Sequence, residues 1–352
     1  MFSPKYTITD VLLANIKRIN TLINDLNNQR FPNVVLLELE RVAREISAHA
    51  STSIEGNPLP LTEVKMILKA KPAHIRDSER EVLNYNRALQ DLDKDLKNGK
   101  TRLSVNLILR IQQQVTDDLL LPFESGHLRQ KPIVVNDPKT RQVRFLPPDA
   151  KDVKPLMEEV IEFVNKNEPS SPTDRGKIDP LILAGLFHKQ MVLIHPFMDG
   201  NGRTARLATK VLLAEMGLDT FNLFSFENYY NQNVTRYFQK VGETGNYYDL
   251  VSWGIDFTPW LEYFTEGIID ELLRVQKLLP KVSTSPKTEL QSQDLKLLSF
   301  LRERGFVADR EYAKFTDRAK ATRTKDFNRL IELGLIERKG KGRATYYVLR
   351  EA

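Results

Sequence analysis

The chain has 352 residues, 41% of them hydrophobic and 28% charged, which fits globular domains and excludes a disordered or fibrous protein. The absence of cysteine excludes disulfide scaffolds, zinc ribbons, haem attachment and thiol nucleophiles. The whole net charge of +6 lies in residues 283–352, which carry 16 Lys and Arg against 10 Asp and Glu. No basic segment followed by an apolar run opens the chain, and no apolar stretch approaches the roughly 18 residues of a membrane span. We therefore expect a soluble, cytoplasmic protein without a membrane partner.

The first hundred residues predict a helical region. Apolar residues recur at steps of three and four through residues 33–55, which indicates one long amphipathic helix with Glu55 as its last residue. Gly56 fits a left-handed cap just beyond it. Further helices are predicted after Thr62, which is read as an N-cap, and over residues 78–92 and 103–121.

A short β-hairpin then interrupts the helical pattern. Two β-type runs, residues 133–135 and 143–145, are separated by turn-forming residues. Helical patterns resume at residues 153–165, 180–194, 204–216 and 226–242.

The last part of the chain predicts a separate small domain. Residues 281–291 are polar and contain Ser, Thr and Pro, which is typical of a linker. Helices over residues 294–304, 308–315 and 320–333 precede strands at residues 335–338 and 344–349, and three helices followed by a basic hairpin are typical of a winged helix. The fold class is thus mainly α, and the predicted regions are an N-terminal helical region (1–100), a core (101–280), a linker (281–291) and a winged helix-turn-helix domain (292–352).

The densest set of reactive side chains lies in residues 195–206, HPFMDGNGRTAR. Gly200 and Gly202 flank Asn201 and leave the backbone amides of this turn open to an anion. The helix predicted to begin near Thr204 adds the partial positive charge of its N-terminus.

Charged and titratable residues surround this turn. Arg203 and Arg206 lie three residues apart, hence on one helix face, and both can fork onto phosphate oxygens. A neutral His195 can accept a proton from a hydroxyl, and Asp199 is a natural Mg²⁺ ligand beside phosphates. Together these residues indicate phosphoryl or nucleotidyl transfer to a hydroxyl, achieved without a P-loop, since no G-x-x-x-x-G-K-[ST] sequence occurs.

This segment resembles the signature of Fic-domain proteins, H-P-F-x-D-G-N-G-R-x-x-R, and every fixed position is matched. The resemblance covers about residues 20–275 and implies the helical Fic fold, with the hairpin as a flap that aligns the target protein. It implies transfer of AMP from ATP to a Ser, Thr or Tyr hydroxyl of a target protein or of the chain itself. The flap residues by this resemblance are Ile133, Val134, Val135 and Asn136.

The resemblance also implies a role for each matched residue. His195 would be the general base, Asp199 would hold Mg²⁺, and Phe197 would anchor the loop in the core. Gly200, Asn201 and Gly202 would form the anion hole, with Arg203 and Arg206 on the polyphosphate. The adenine-side aromatics match Tyr237 and Phe238 best, then Tyr229 and Tyr230, with ordinary helix packing as the alternative for both pairs.

Ser51, Glu55 and Gly56 form a second matched motif. A carboxylate at a helix C-terminus is unfavourable by roughly 0.3–1 kcal/mol unless a cation meets it, although an exposed Glu tolerates that cost. The segment resembles the family's inhibitory motif, [ST]-x-x-x-E-[GN], which implies that Glu55 pairs with Arg206 and keeps it from the γ-phosphate of ATP. In some relatives the same Glu positions water to remove AMP, so the reverse reaction is a further reading.

Two other functions stay open. In the first, the chain is a DNA-binding regulator whose Fic core senses a nucleotide; in the second, the core mainly removes AMP or moves another phosphate-linked group. Winged helices also serve as protein-interaction modules, so a homodimer is a further reading. The cations that would contact DNA lie on the third helix of residues 292–352 (Lys320, Arg323, Lys325, Arg329) and on its wing (Lys339, Lys341, Arg343).

Overall fold

The structure is a computed structural model that describes residues 2–350 except 29–32, 71, 73, 100, 138–139, 141, 168–176, 215–224 and 284–289. The helices of this described part are α1 (Asp10–Asn27), α2 (Asn33–Ile54), α3 (Leu61–Lys69), α4 (Asp77–Lys97), α5 (Val105–Val115), α6 (Ala150–Asn167), α7 (Pro180–Ile194), α8 (Asn201–Ala214), α9 (Phe226–Gln232), α10 (Val234–Val241), α11 (Tyr247–Trp253), α12 (Thr258–Ser283), α13 (Ser292–Arg304), α14 (Asp309–Tyr312) and α15 (Lys320–Glu332). The strands are β1 (Val135–Asn136), β2 (Val143–Leu146), β3 (Gly245–Asn246), β4 (Ile336–Lys339) and β5 (Tyr346–Leu349). The predicted mainly α class is confirmed.

Two compact units make up the chain. One contains Met1–Asn28 and Ala43–Arg274, and the other contains Gln29–Val42 and Val275–Ala352. Helix α12 continues through residue 283 and so includes the first three residues of the predicted linker, residues 281–291. Residues 284–289 of that linker lie outside the described residues. None of the described helices is long and apolar enough to cross a membrane.

Helix α7 forms the centre of the larger unit. The Asp179 side chain caps its first turn by accepting from the Leu181 amide at 2.9 Å, and Pro180 stands where a helix needs no N–H donor. Nearly all its side chains are buried, and it packs against α6 and α8. Trp260 of α12 donates to the Gly185 carbonyl at 2.8 Å. A Cβ at Gly185 would lie 2.6 Å from Leu261 Cδ2 of the same helix, so α12 leaves no room for a side chain there. Helix α7 thus holds His195, its C-cap residue, on a rigid support.

Helix α8 packs against α7, α5 and α4 and carries both arginines of the loop. The predicted start near Thr204 is wrong, because α8 begins at Asn201 and the Thr204 amide already donates to the Gly200 carbonyl at 2.9 Å. Arg203 therefore lies in the first turn of the helix. Residues 215 and 216 of the predicted helix lie outside the described residues.

The hairpin forms a three-stranded sheet with a strand that the sequence did not predict. Strand β1 pairs antiparallel with β2, with Val135 opposite Phe145, and β3 pairs parallel with β2. The predicted strand residues Ile133 and Val134 precede β1, and Val134 is exposed. Strand β3 is too short, at two residues, to produce an alternating pattern in sequence.

Several other predicted boundaries are corrected. Helix α2 ends at Ile54, so Glu55 is the first residue after it, and the N-cap of α3 is Pro60 instead of Thr62. Helix α5 covers only residues 105–115 of the predicted 103–121. Residues 226–242 form two helices, because Asn233 leaves helical geometry and its side chain caps α10.

In the smaller unit, α13, α14 and α15 precede an antiparallel hairpin of β4 and β5, in the predicted order. Its core contains Leu297, Leu301, Val307, Tyr312, Phe327, Leu330 and Ile336. The Phe327 ring stacks on Tyr347 of β5 with centroids 3.9 Å apart, which ties the third helix to the hairpin. The name winged helix stays a prediction.

Candidate functional site

His195 lies at the C-terminus of α7 in a left-handed backbone conformation (φ 50°, ψ 62°), which is rare for a residue with a side chain and is typical of functional sites. Its Nδ1 lies 3.1 Å from the Val192 carbonyl oxygen. Because a carbonyl only accepts hydrogen bonds, Nδ1 carries the proton and Nε2 keeps its lone pair. Burial lowers the pKa of His195, against the opposing effect of the Val192 hydrogen bond, so the imidazole is neutral at neutral pH.

The loop after His195 is closed by Asn201. Its Oδ1 accepts from the Phe197 amide and its Nδ2 donates to the Phe197 carbonyl, both at 2.9 Å, while the Phe197 ring is fully buried. Gln112 of α5 donates to the Asp199 carbonyl at 3.2 Å. These contacts fix the turn at residues 199–202, which we call the glycine turn. Both polar atoms of the Asn201 side chain are used by the backbone of Phe197, in the same loop.

Neighbouring side chains leave no room for a Cβ atom at either glycine of the glycine turn. Gly200 has φ +78°, and a Cβ there would lie 2.9 Å from Thr116 Cγ2. A Cβ at Gly202 would lie 2.2 Å from Glu55 Oε1 and 2.8 Å from Arg206 Nη1. The space above Gly202 is therefore filled by a carboxylate oxygen.

Arg203 is buried and surrounded by acceptors. Its Nε donates to Glu55 Oε2 and its Nη2 to Asp199 Oδ2, both at 2.8 Å. Its Nη1 lies 3.4 Å from the Val115 carbonyl and 3.7 Å from Glu81 Oε1. The structure thus brings the first arginine of the loop to the carboxylate at the end of α2.

Arg206 binds the same segment. Its Nη2 donates to Glu55 Oε1 at 2.7 Å and to the Ser51 carbonyl at 2.8 Å, and its Nε donates to Ser51 Oγ at 2.8 Å. The Arg206 side chain is 1% exposed, so these contacts replace water almost completely. Each Glu55 oxygen is used by a different guanidinium group.

The two arginines control the charge of Glu55. Burial alone would raise the pKa of this carboxyl, but Arg203 and Arg206 outweigh it and hold the pKa below its usual range. The turn after Glu55 is fixed by Asn57, whose Nδ2 donates to Glu81 Oε2 at 2.7 Å. Gly56, with φ +96°, permits that turn. Glu55 is thus held as a charged carboxylate against the glycine turn.

Asp199 is the one residue of the loop that suits a cation. Its side chain is 51% exposed, and Oδ2 accepts from Arg203. Within the described part of the chain, no cluster of three or more His, Asp or Glu could hold a metal by itself. A single exposed carboxylate beside an anion-binding turn fits Mg²⁺, which takes one or two carboxylates and completes its shell with phosphate oxygens and water.

The predicted adenine-side aromatics lie mostly in the core. Tyr237 is buried, and its ring stacks on Tyr230 with centroids 4.7 Å apart. Phe238 is partly buried and tilted against Tyr237, and Tyr229 packs on Tyr263. An adenine contact by any of them stays a prediction.

Arg129 is a residue of this site that the sequence analysis missed. Its Nε donates to the His195 carbonyl at 2.8 Å, and its backbone amide donates to the Pro196 carbonyl at 2.9 Å. It also donates to the carbonyls of Lys131 and Pro148, which flank the hairpin. Arg129 thereby ties the loop of His195 to the base of the hairpin, and a lone arginine in a loop gives no sequence signal of that role.

Comparison with known proteins identifies this arrangement. A sequence profile described as the Fic/DOC family matches residues 102–213, which include α5, the hairpin, α7 and the complete loop. Residues 102–213 are a Fic domain. The Fic domain contains His195, the glycine turn and both arginines, whereas Glu55 comes from the region before it.

Curated relatives of this Fic-domain chain are named protein adenylyltransferases. One from Aedes aegypti is 27% identical over 223 residues, which is 58% of this chain and 42% of the relative. Another, fic-1 from Caenorhabditis elegans, is 30% identical over 186 residues, which is 51% of this chain and 34% of the relative. The chain therefore spans less than half the length of these curated relatives.

Solved structures of Fic proteins share the fold. A Fic family protein from Desulfovibrio desulfuricans G20 aligns with a TM-score of 0.64 and 19% identity, and the alignment covers 99% of this chain and 98% of that one. Residues 134–508 of Fic-1 from C. elegans align with a TM-score of 0.59 and 21% identity over 77% of this chain and 73% of that one. The likeness to both structures establishes the Fic fold.

Proposed function

We propose that this chain is a self-inhibited protein adenylyltransferase that moves AMP from ATP to a Ser, Thr or Tyr hydroxyl of a target protein or of the chain itself. The observation that carries the proposal is the complete Fic signature, with His195 and two arginines gathered around one glycine turn. The names of the curated relatives support AMP as the transferred group.

Several groups of the loop bind the phosphates of ATP in this proposal. The amides of Gly200 and Gly202 and the N-terminus of α8 favour an anion, and Arg203 and Arg206 add two fixed positive charges. Mg²⁺ held by Asp199 would neutralise phosphate charge when it is bound. Preorganised donors of this kind stabilise the charge that develops on transferred phosphoryl groups.

His195 is suited to the proton transfer. In the proposed step its Nε2 accepts the proton of the target hydroxyl, and the hydroxyl oxygen forms a bond to the α-phosphorus of ATP. The bond between the α-phosphorus and the oxygen bridging to the β-phosphate breaks, and pyrophosphate leaves. The product is an AMP phosphodiester on the target. The Nδ1 contact to Val192 supports this role, because it leaves Nε2 as the basic nitrogen.

Glu55 acts in this proposal as the inhibitor. Its carboxylate occupies the space above Gly202 and pairs with both arginines, so it competes with the negatively charged polyphosphate for the same groups. ATP that binds beside Glu55 would be displaced from the in-line geometry. A displacement of about 1 Å at a reacting centre costs about 100-fold in rate.

The nature of the transferred group is tested with ATP labelled at either the α- or the γ-phosphate. We expect the Glu55→Gly protein, incubated with Mg²⁺ and labelled ATP, to acquire label on protein from the α-phosphate only. The Glu55→Gly/His195→Ala double variant is the matched control and should acquire none while it still binds ATP. Label from the γ-phosphate would make the chain a kinase, and binding of ATP without label would favour a nucleotide sensor.

A further inference from the structure

Arg129 is a charged residue that is only 3% exposed, and its side chain donates to four backbone carbonyls. Its Nε donates to the His195 carbonyl at 2.8 Å and its Nη2 to the Ile194 carbonyl at 3.4 Å. Its Nη1 donates to the Lys131 carbonyl at 3.1 Å, and Nη2 also donates to the Pro148 carbonyl. Because the donors of a guanidinium group lie in a fixed plane, Arg129 holds these four carbonyls in one arrangement.

Two of the four carbonyls lie at the C-terminus of α7. The last carbonyls of a helix have no partner within the helix and carry partial negative charge, so a cation is favourable beside them. The backbone amide of Arg129 adds a bond to the Pro196 carbonyl at 2.9 Å. Arg129 therefore holds three consecutive carbonyls, those of residues 194, 195 and 196.

These contacts determine the backbone conformation of His195. Each peptide unit is planar, so holding the Ile194 and His195 carbonyls fixes the two peptide planes that meet at the His195 Cα atom. The rotation between those planes is the left-handed conformation (φ 50°, ψ 62°), which a residue with a side chain rarely adopts unless its surroundings hold it. This conformation limits the rotamers of the imidazole and so sets its direction.

The other two carbonyls lie at the two ends of the hairpin. Lys131 precedes β1, and Pro148 follows β2. Because one guanidinium group binds these carbonyls and that of His195, it holds the ends of the hairpin relative to the His195 backbone. In the proposed reaction the hairpin presents the target hydroxyl and His195 accepts its proton, so this relation determines whether the two groups meet.

The glycine turn is held by other residues. Asn201 binds the backbone of Phe197, and Gln112 donates to the Asp199 carbonyl. None of the hydrogen bonds that the structure describes for Arg129 goes to residues 199–206, which are proposed to bind the phosphates of ATP.

We infer that Arg129 is a positioning residue for AMP transfer, which fixes the imidazole of His195 relative to the hydroxyl that the hairpin presents. The inference rests on the proposed function, in which His195 is the general base and the hairpin aligns the target. It gives the guanidinium group a specific effect: its loss should slow transfer at saturating ATP without weakening the binding of ATP.

Three substitutions, each made in full-length Glu55→Gly protein, separate this role from a purely structural one. Arg129→Lys keeps the charge, but one ammonium group cannot hold four carbonyls in a plane. Arg110→Lys is the same change on the surface of α5, where Arg110 is half exposed and pairs with Asp95 at 2.6 Å. Ile19→Ala controls for lost stability, because it opens a cavity beside α1, a helix that carries none of the site residues described above.

The first measurement is the rate of self-labelling from α-labelled ATP with Mg²⁺, together with the calorimetric affinity for ATP. We expect Arg129→Lys to lower the rate at saturating ATP about 100-fold, the scale of a displacement of about 1 Å at a reacting centre, with the ATP affinity unchanged. Arg110→Lys and Ile19→Ala should retain both, below their melting temperatures. An unchanged rate in Arg129→Lys, a matching loss of ATP affinity, or an equal loss of rate in Ile19→Ala would overturn the inference.

The second measurement is hydrogen exchange, which tests positioning without catalysis. The His195 amide donates to the Met191 carbonyl and the Phe197 amide to Asn201 Oδ1. We expect both amides to exchange at least about tenfold faster in Arg129→Lys than in Glu55→Gly alone, because the loop opens locally, and Ile19→Ala should not change their exchange selectively. Unchanged exchange of these amides in Arg129→Lys would also overturn the inference.

The Glu55→Gly protein by itself decides the matter if Arg129→Lys does not fold. The amides of Arg129, His195 and Phe197 should then open as one unit, with the same dependence of exchange on low concentrations of urea. Separate opening of the Arg129 amide would contradict the inference. Absence of AMP transfer in Glu55→Gly would count against the proposed function instead, and the exchange result would still test whether Arg129 holds His195.

Discussion

Arg203 Nε donates to Glu55 Oε2 across 2.8 Å, so the carboxylate after α2 binds the first arginine of the loop. The second arginine, Arg206, takes the other oxygen at 2.7 Å. Both guanidinium groups are nearly inaccessible to water, and removing one member of such a buried ion pair is costly, by about 3–5 kcal/mol. The proposed inhibition therefore involves two arginines that are held at once.

Glu55→Gln tests whether both carboxylate oxygens are needed. The amide oxygen can accept from one arginine, but the amide nitrogen is a donor and faces a second donor. We expect Glu55→Gln to bind ATP nearly as tightly as Glu55→Gly, and both more tightly than wild type. Calorimetric titration with ATP measures this, and a wild-type affinity for Glu55→Gln would show that charge and the second oxygen are unimportant.

Gly202→Ala tests the space above the glycine turn. The added Cβ would lie 2.2 Å from Glu55 Oε1 and 2.8 Å from Arg206 Nη1, so both groups must move. In the Glu55→Gly background we still expect Gly202→Ala to weaken ATP binding at least about tenfold, because the methyl group occupies the space proposed for phosphate and displaces Arg206. ATP affinity comparable to that of Glu55→Gly alone would contradict this use of the space.

The stability of the protein should depend on pH through His188. Its pKa in the folded protein is about 3, below the ordinary value near 6.5, so the unfolded chain binds the extra proton first. The contribution of His188 to the free energy of unfolding is therefore largest above about pH 6.5. It falls by about 1.4 kcal/mol per pH unit as the pH drops from there towards 3.

Urea unfolding of wild type and two variants between pH 7 and 5 measures this contribution. His188→Gln removes the titrating group and should make the decline in stability with falling pH shallower. His74→Gln, which removes an exposed imidazole, should leave the decline unchanged. The same steep decline in His188→Gln would assign the pH dependence to other groups.

Much of the fold and of the site was accessible from the sequence. Helix α7 is apolar around its circumference and starts at an Asp-Pro cap, so its predicted bounds, residues 180–194, match the structure. The glycines, His195 and both arginines are contiguous in residues 195–206, so one motif places them in one loop. Local sequence determined these features.

What the sequence did not predict depends on contacts between distant residues. Arg129 binds the His195 carbonyl although the two residues are 66 positions apart in the sequence. The Tyr237 hydroxyl likewise contacts His188, which is 49 positions away. The pairing of Glu55 with Arg203 likewise joins residues 148 positions apart. Helices α1 and α12 lay in stretches for which no element was predicted, and the break at Asn233 depends on a single side-chain cap.

DNA contact through residues 292–352 stays a prediction. Two of the arginines proposed to contact DNA lie close to carboxylates of the same domain instead. Arg323 is bound to both oxygens of Asp309, at 2.8 and 2.9 Å, and Arg329 lies 3.5 Å from Asp294. Lys320 and Lys325 are exposed on the same helix.

Variants of the full-length protein distinguish the exposed lysines from the ion-paired arginines. We expect Lys320→Gln/Lys325→Gln to lower the salt concentration that releases the protein from duplex DNA, because each lost phosphate contact reduces the salt-dependent affinity. Arg323→Gln should instead lower the melting temperature and affect release less. Absence of any DNA retention at low salt would remove DNA from the partners of this chain.

The initial rate of AMP incorporation from α-labelled ATP, compared between wild type and Glu55→Gly, tests the central claim most directly. A matched control is Glu81→Gln, since Glu81 lies 3.7 Å from Arg203, a longer and weaker contact than that of Glu55. The account predicts a rate about 100-fold higher in Glu55→Gly, the scale expected when a misaligned phosphoryl group becomes aligned, and little change in Glu81→Gln. Equal rates in wild type and Glu55→Gly, with ATP bound by both, would contradict inhibition by Glu55.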